Sequence, residues 1–334
     1  MKDISFFSED TYLYVPSSKN PKVILAVGKS SLAKLSFKIY NPFSAKAKIF
    51  KKIVCFLAVN FNKILNKVAK VQVHKNSEFI NFLNQQFDKK FTSSIYNATL
   101  QDKVVIQLQA DDEVFGYVKF PLNEIGKLNV KNEIKAVEIL SKKGVIDIEM
   151  QNFEFNKTPF FVLPELEGNN DTISDEAVLK IIEPFKKEVS LELCKHKRVI
   201  EIKDFLIQNK LNKELLILEK VIKNSKEKYF EAFEHGDFAP WNIVKTKQGF
   251  TAFDFEYFVE NGLEYLDSIK YHFQVARLLK SKTKEDLFKY ISQKINAKEI
   301  TELLTVFLLK EIMVAVNQQK KYDFESEMLN FIHE

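Results

Sequence analysis

The hydrophobic pattern of this 334-residue chain changes period near residue 174. Before that point apolar residues come in short runs rich in β-branched and aromatic side chains, punctuated by Pro, Gly and Asn. After it they recur at helical spacing, with one β interruption between Glu234 and Phe258. Strands first and helices later place the chain in the α+β class. Strands are expected at 12–15, 23–27, 33–40, 91–96, 103–110, 114–120, 146–150 and 160–163, with Asp111-Asp112 as a hairpin turn. Helices are expected at 45–70, 76–87, 130–142, 175–187, 201–233, 264–279, 284–295 and 300–319.

Charge adds a second constraint. The net charge is +5, but from Thr11 to Ser77 there is no Asp or Glu and there are 13 Lys, leaving the remainder net negative. Only two of the 50 basic residues are Arg, and Phe is abundant at 31. Lys and Phe both rise in A/T-rich genes, so the basic total does not indicate a nucleic-acid binder. Its local concentration suits an anionic partner, a phosphorylated sugar, lipid headgroups or nucleic acid, or else a solvated lysine face. In 45–70, Ile49, Ile53, Leu57, Ile64 and Val68 recur near helical spacing. The stripe is expected to face the core with lysines snorkelling around it; an interfacial helix on a membrane is the alternative.

Two cysteines, Cys55 and Cys194, form no CxxC or metal-ligand spacing, and Cys55 reads as a buried thiol. Met1-Lys2-Asp3-Ile4-Ser5 has no apolar run after its charges, and the run near Cys55 is well short of a bilayer span. The protein therefore reads as cytoplasmic, with peripheral contact at the inner face of an anionic membrane or with a lipid-linked saccharide left open.

The β interruption carries the chemistry. It reads His235-Gly236-Asp237-Phe238-Ala239-Pro240-Trp241-Asn242, then a Lys247-Gln248-Gly249 turn, then Phe253-Asp254-Phe255-Glu256. Phosphoryl transfer needs one carboxylate to orient the attacking hydroxyl and accept its proton. It also needs a second carboxylate and an amide oxygen to hold Mg²⁺ against the β- and γ-phosphates. The step from Asp237 to Asn242 can bring both side chains to one mouth, and a hairpin can return Asp254 beside them.

This segment resembles the catalytic and metal loops of the aminoglycoside phosphotransferase and choline kinase group, which has the protein-kinase-like fold. The resemblance implies Asp237 as catalytic base, Asn242 and Asp254 as metal ligands, and a structural His235. Gly236 stands where protein kinases carry Arg, Asp254-Phe255-Glu256 lacks the Gly of D-F-G, and no Ala-Pro-Glu follows, so a protein kinase is disfavoured.

The resemblance also implies a phosphate-binding Lys on the third strand and a Glu on the next helix. Lys119 fits the first. For the second, Glu133 lies about 45° and Glu138 about 95° from the centre of the face formed by Val130, Ile134, Val137 and Leu140, which favours Glu133. The stretch 160–168 resembles the hinge that meets adenine, with Leu163 and Glu165 as nucleotide contacts. Asp267 is expected to cap its own helix. The loop from Tyr96 to Asp102 has no glycine, so nucleotide grip should rest on Lys119 and Mg²⁺.

The implied architecture is a β-rich N-lobe at 76–166, a helical C-lobe at 167–334 and an extra basic segment at 1–75. The implied activity is ATP- and Mg²⁺-dependent phosphorylation of a small-molecule hydroxyl. A sugar, saccharide-lipid headgroup or amino alcohol would be the acceptor, as in bacterial surface-polysaccharide synthesis. The alternatives are an aminoglycoside-type antibiotic kinase and a pseudokinase-like module docking through its basic N-terminal region.

Overall fold

The computed structural model describes residues 4–40, 42, 45–61, 71–97, 102–166, 168, 172–246, 249–280 and 282–334. The chain divides into two compact units, Met1–Glu167 and Gly168–Glu334.

The first unit contains β1 (Asp10–Val15), β2 (Val23–Ala26), α1 (Ser30–Ser36), α2 (Ala45–Asn60), β3 (Gln72–His74) and α3 (Glu78–Gln86). Then come β4 (Thr92–Asn97), β5 (Lys103–Ala110), β6 (Glu113–Pro121), α4 (Glu124–Lys142), β7 (Gln151–Phe155) and β8 (Thr158–Pro164). The eight strands form one sheet in the order β3-β1-β2-β4-β5-β6-β8-β7, antiparallel at every pairing. The strands of 1–75 thus continue the sheet that begins at β4.

Both faces of this sheet are covered, which is why β2 reads as an unbroken apolar run. Tyr12, Ile24, Ile106, Val118 and Phe160 turn to one face, where α3 supplies Phe79, Ile80 and Leu83. Phe79 meets Phe6, Phe120, Phe155 and Phe160 edge-on at centroid distances of 5.1–5.2 Å, a geometry that aromatic quadrupoles favour. Leu13, Val23 and Leu25 turn to the other face against Ala33 and Phe37. Ser8, Tyr12 and Ser93 join β1 to β4's neighbourhood by buried hydroxyls: Tyr12 Oη lies 2.6 Å from Ser8 Oγ and 3.0 Å from Ser93 Oγ. Asp111 and Asp112 both adopt positive φ, 52° and 60°, as a two-residue hairpin turn requires.

The expected strand at 33–40 is instead α1 followed by a 3-10 turn. Ala33, Ser36 and Phe37 are its buried residues, at helical spacing, and Ser36 Oγ donates to the Ala26 carbonyl at 2.6 Å. The strand expected at 146–150 falls later, as β7. The first part of the 45–70 stripe also departs from expectation: Ile49 and Ile53 face outward, Leu57 is half-buried, and Ala58 is the fully buried residue of α2. Ile64 and Val68 lie outside the described residues. Cys55 is half-buried rather than buried. No helix among the described residues is long and apolar enough to cross a membrane.

The second unit is mostly helical. It contains α5 (Asp175–Ile182), β9 (Lys186–Glu192), α6 (Lys197–Gln208), α7 (Asn212–Asn224), β10 (Lys228–Glu234), β11 (Ile243–Thr246), β12 (Gly249–Ala252) and β13 (Val259–Leu263). It ends with α8 (Leu266–Gln274), α9 (Lys284–Lys294), α10 (Ile300–Asn317) and α11 (Asp323–His333). β13-β10-β9 form a small sheet, and β11-β12 a separate hairpin. α10 is apolar around most of its circumference and runs through the core, packed by α6, α7, α8 and α11.

Helix expectations fail here wherever Lys and Glu fill a strand. The helix expected at 175–187 stops at Ile182, because Pro184 follows, and β9 begins four residues on, at Lys186. The single helix expected at 201–233 is α6, α7 and β10, broken where Lys210 takes a φ of 57°. β9 (Lys-Lys-Glu-Val-Ser-Leu-Glu) and β10 (Lys-Tyr-Phe-Glu-Ala-Phe-Glu) carry helix-favouring residues, and pairing with each other overrides that preference.

Candidate active site

Strand β10 delivers the chain into the loop His235–Asn242. Gly236 makes the turn at φ 83°, and a Cβ there would stand 2.2 Å from the Tyr257 carbonyl oxygen. Only glycine meets both demands. The loop is then held by groups it does not itself contain. Asp267, in the first turn of α8, accepts the His235 N–H through Oδ2 at 2.6 Å and the Gly236 N–H through Oδ1 at 3.1 Å. It therefore caps the loop and not its own helix, whose N-cap is Tyr265. Complete burial pushes its carboxyl above the ordinary carboxylate range, partly offset by His235.

His235 faces the Phe253 carbonyl through Nε2 at 2.9 Å. A carbonyl can only accept, so Nε2 carries the proton and Nδ1 is left to accept the Asp237 N–H at 3.4 Å. The ring is fully buried, with Phe255 at 4.6 Å. Its role is to join the Asp237 loop to the strand end before Asp254.

Asn242 closes the loop. Its Nδ2 donates to the Asp237 carbonyl at 2.8 Å and to Asp237 Oδ2 at 3.0 Å. Both bonds use nitrogen, so the amide oxygen stays available as a ligand. The hairpin β11-β12 brings the chain back, and Phe253 N–H donates to the Asn242 carbonyl at 3.0 Å. That bond sets Asp254 beside Asn242. Asp254 adopts φ 69°, a left-handed conformation that non-glycine residues take at a cost.

Three charged residues that sequence reasoning missed stand behind Asp237. Lys270 Nζ of α8 lies 3.5 Å from Asp237 Oδ1 and 2.6 Å from Glu311 Oε2. Lys310, fully buried on α10, lies 3.4 Å from Glu311 Oε1 and reaches the Gly236 carbonyl at 3.5 Å. Burial pulls the Lys270 ammonium down, but Glu311 and Asp237 outweigh it and hold it above its ordinary value. Burial likewise pushes Glu311 up, but Lys270 and Lys310 outweigh it and hold it low. The ammonium of Lys270 is thus fixed against the Asp237 carboxylate. Lys270 sits three residues after Asp267, a spacing that puts both on one face of α8. In a chain so rich in lysine that spacing was no signal by itself.

The first unit holds the other expected pair. Lys119 points to the face of β6 opposite Val118 and Phe120, and its Nζ lies 2.5 Å from Glu133 Oε1 of α4. Both side chains are buried, and the Phe161 ring lies 5.7 Å from the ammonium. Glu138 is exposed at Oε1 and accepts from Asn152 at 3.3 Å. Leu163 is buried on β8, two residues beyond Phe161, which pairs with Lys119 across the β6-β8 ladder. Glu165 follows the last ladder residue, and its carboxylate binds Lys38 Nζ at 2.9 and 3.0 Å. Residues 98–101 of the glycine-free loop lie outside the described residues.

Among the described residues no three His, Cys, Asp or Glu side chains converge on a metal position. Asn242 and Asp254 offer an amide oxygen and a carboxylate. Two such hard ligands suit Mg²⁺, which completes its shell with phosphate oxygens and water.

No family model and no curated protein matches the chain. Among solved structures it is similar to a choline kinase from Streptococcus pneumoniae, at 15% identity over 76% of this chain and 99% of that one, with a TM-score of 0.48. It is also similar to an ethanolamine kinase from Plasmodium vivax, at 12% identity over 91% of this chain and 93% of that one, with a TM-score of 0.44. An ADP-bound aminoglycoside phosphotransferase aligns at 12% identity over 76% of this chain and 96% of that one, with a TM-score of 0.46. The chain itself is a β-rich unit followed by a mostly helical unit.

Proposed function

We propose that the chain is an ATP- and Mg²⁺-dependent phosphotransferase acting on a hydroxyl of a small molecule: a sugar, a saccharide-lipid headgroup or an amino alcohol. The observation that carries the reading is the loop in which Asn242 binds the Asp237 carboxylate and backbone, Asp254 is set beside Asn242, and Lys270 faces Asp237 from behind.

In this reading Asp237 accepts the hydrogen bond of the acceptor hydroxyl and takes its proton as the oxygen attacks the γ-phosphorus. The bond from that phosphorus to the β–γ bridging oxygen breaks, and ADP leaves with the electron pair. Asn242 fixes the carboxylate rotamer, so the base is already oriented when the acceptor arrives. Asn242 Oδ1 and the Asp254 carboxylate would hold Mg²⁺, which neutralises phosphate charge when bound. Lys119, held straight by Glu133, supplies an ammonium for the phosphates. Leu163 on β8 and Glu165 just beyond its end form the nucleotide-contacting segment.

The test is Asp237→Asn, assayed by transfer of labelled γ-phosphate to a panel of sugars and amino alcohols. Removing a positioned base should cost about 10²–10⁴-fold in kcat, while Mg²⁺-ATP still raises the melting temperature. An unchanged transfer rate would overturn the mechanism, and the absence of any Mg²⁺-ATP shift in the wild type would overturn the activity.

A further inference from the structure

Helix α2 is apolar on two sides. The inner side rests on the sheet through Ala58, with Val54 and Leu57 packed beside it on a cluster that includes Leu25 and Phe37. On the outer side, at ~100° per residue, Ile49, Ile53 and Phe56 fall within about 60° of one another. They are 59%, 54% and 58% exposed. Phe50 and Phe61 widen the patch, at 55% and 44%. A soluble helix normally shows one apolar stripe, and isolated surface leucines or phenylalanines need no explanation. Five large apolar side chains clustered on one exposed helix and its end do need one.

Charge states what covers them. Lys46 and Lys52 bracket the stripe, each about 60° from Ile49 on opposite sides. Beside the stripe lies a groove of about 610 Å³, lined by Lys34, Lys48, Lys51 and Lys52 together with Cys55 and Phe56. No acidic residue lines it, and none occurs anywhere from Thr11 to Ser77. Lys51 is half-buried there, and burial pulls its ammonium down with no carboxylate against it among the described residues. A cation held partly out of water without a counter-charge favours an incoming anion.

We propose that α2 is an interfacial helix that docks the chain on an anionic phospholipid bilayer. Ile49, Ile53 and Phe56 enter the acyl boundary, while Lys46, Lys48 and Lys52 meet the lipid phosphates. Long lysine side chains flanking an apolar stripe can keep their charge at headgroup level while the stripe sinks ~5–10 Å. A second copy of the chain would bring an identical cluster of lysines against the first. Nucleic acid would leave the aliphatic stripe with nothing to bury against. The apolar area is modest, so docking needs both the side chains and the lysines. The proposal is independent of phosphoryl transfer.

The experiment is flotation of the full chain with vesicles of phosphatidylcholine alone and with vesicles of about one-third phosphatidylglycerol. Binding is expected to the second and not the first, and to weaken at high salt. Lys48→Gln and Lys52→Gln should each weaken it about fivefold. Ile53→Ser with Phe56→Ser should weaken it about tenfold or more. Both sets alter exposed residues, so the melting temperature and the Mg²⁺-ATP shift should stay at wild-type values. Equal affinity for neutral vesicles, no binding to either, or binding that ignores both sets of variants would overturn the proposal. So would a lipid-free dimer, seen by sedimentation, that the Ile53→Ser and Phe56→Ser changes abolish.

Discussion

Asp267 is buried, yet both of its oxygens are occupied by backbone N–H groups, those of His235 and Gly236. An amide in its place has one oxygen to accept with, and its NH₂ would confront the second N–H. Asp267→Asn should therefore cost about 1–3 kcal/mol of stability, the penalty of one unsatisfied buried donor. Because the two amides set the path of the Asp237 loop, kcat should fall while the KM for ATP changes little. Thermal unfolding and steady-state kinetics of the purified variant check this, and full wild-type kcat would remove Asp267 from the positioning role. Asp237, Asn242 and Asp254 were legible because they share one short segment with fixed spacing. Lys270, Lys310 and Glu311 were not, because they converge from two helices far apart in the chain and each looks like any other charged residue until α8 and α10 pack.

At the scale of elements, Lys119 and Glu133 tie β6 to α4 through a buried ion pair. Removing one partner leaves an uncompensated charge, which costs about 3–5 kcal/mol. Replacing both with apolar groups removes the charge altogether. Lys119→Met alone should be strongly destabilised, and Lys119→Met with Glu133→Leu should recover most of the melting temperature. Neither variant should regain phosphotransfer, since the ammonium is absent from both; a double variant with restored transfer would show the pair to be structural only. Glu133 could be told from Glu138 in advance because helical phase is a geometric property that the residues themselves carry. The elements that escaped prediction did so for two different reasons. β9 and β10 carry Lys and Glu, whose helix preference the ladder between the two strands overrides. α1 holds Leu, Ala and Lys, which favour a helix, and the strand expected there followed from Phe37, Ile39 and Tyr40 beyond its end.

At the scale of the whole molecule, acid is where the buried histidines matter. Burial pushes the His272 imidazole from 6.5 down to about 4, with Asp175 pulling the other way, and its Nδ1 has no hydrogen-bond partner among the described residues. The unfolded chain takes up this proton near pH 6.5 while the folded chain resists until about pH 4. Stability from this group is therefore complete above pH 6.5 and falls between there and pH 4, by roughly 3 kcal/mol in all. His272→Leu should flatten that part of the melting-temperature profile relative to wild type; parallel profiles for the two proteins would contradict the assignment.

The continuity of the eight-stranded sheet has a consequence for how this protein can change over time. β4 is hydrogen-bonded on one side to β5 and on the other to β2, and the buried hydroxyls of Ser8 and Tyr12 meet Ser93 of β4. Phe6 also closes the aromatic cluster around Phe79. A chain starting at residue 76 would expose β4 as an open edge, a template for pairing with other molecules. The basic segment is thus not a tag that a gene could shed or exchange while leaving a working remainder. Its lysines and its strands are inherited as one unit, so whatever surface the lysines serve is bound to the same fate as the fold.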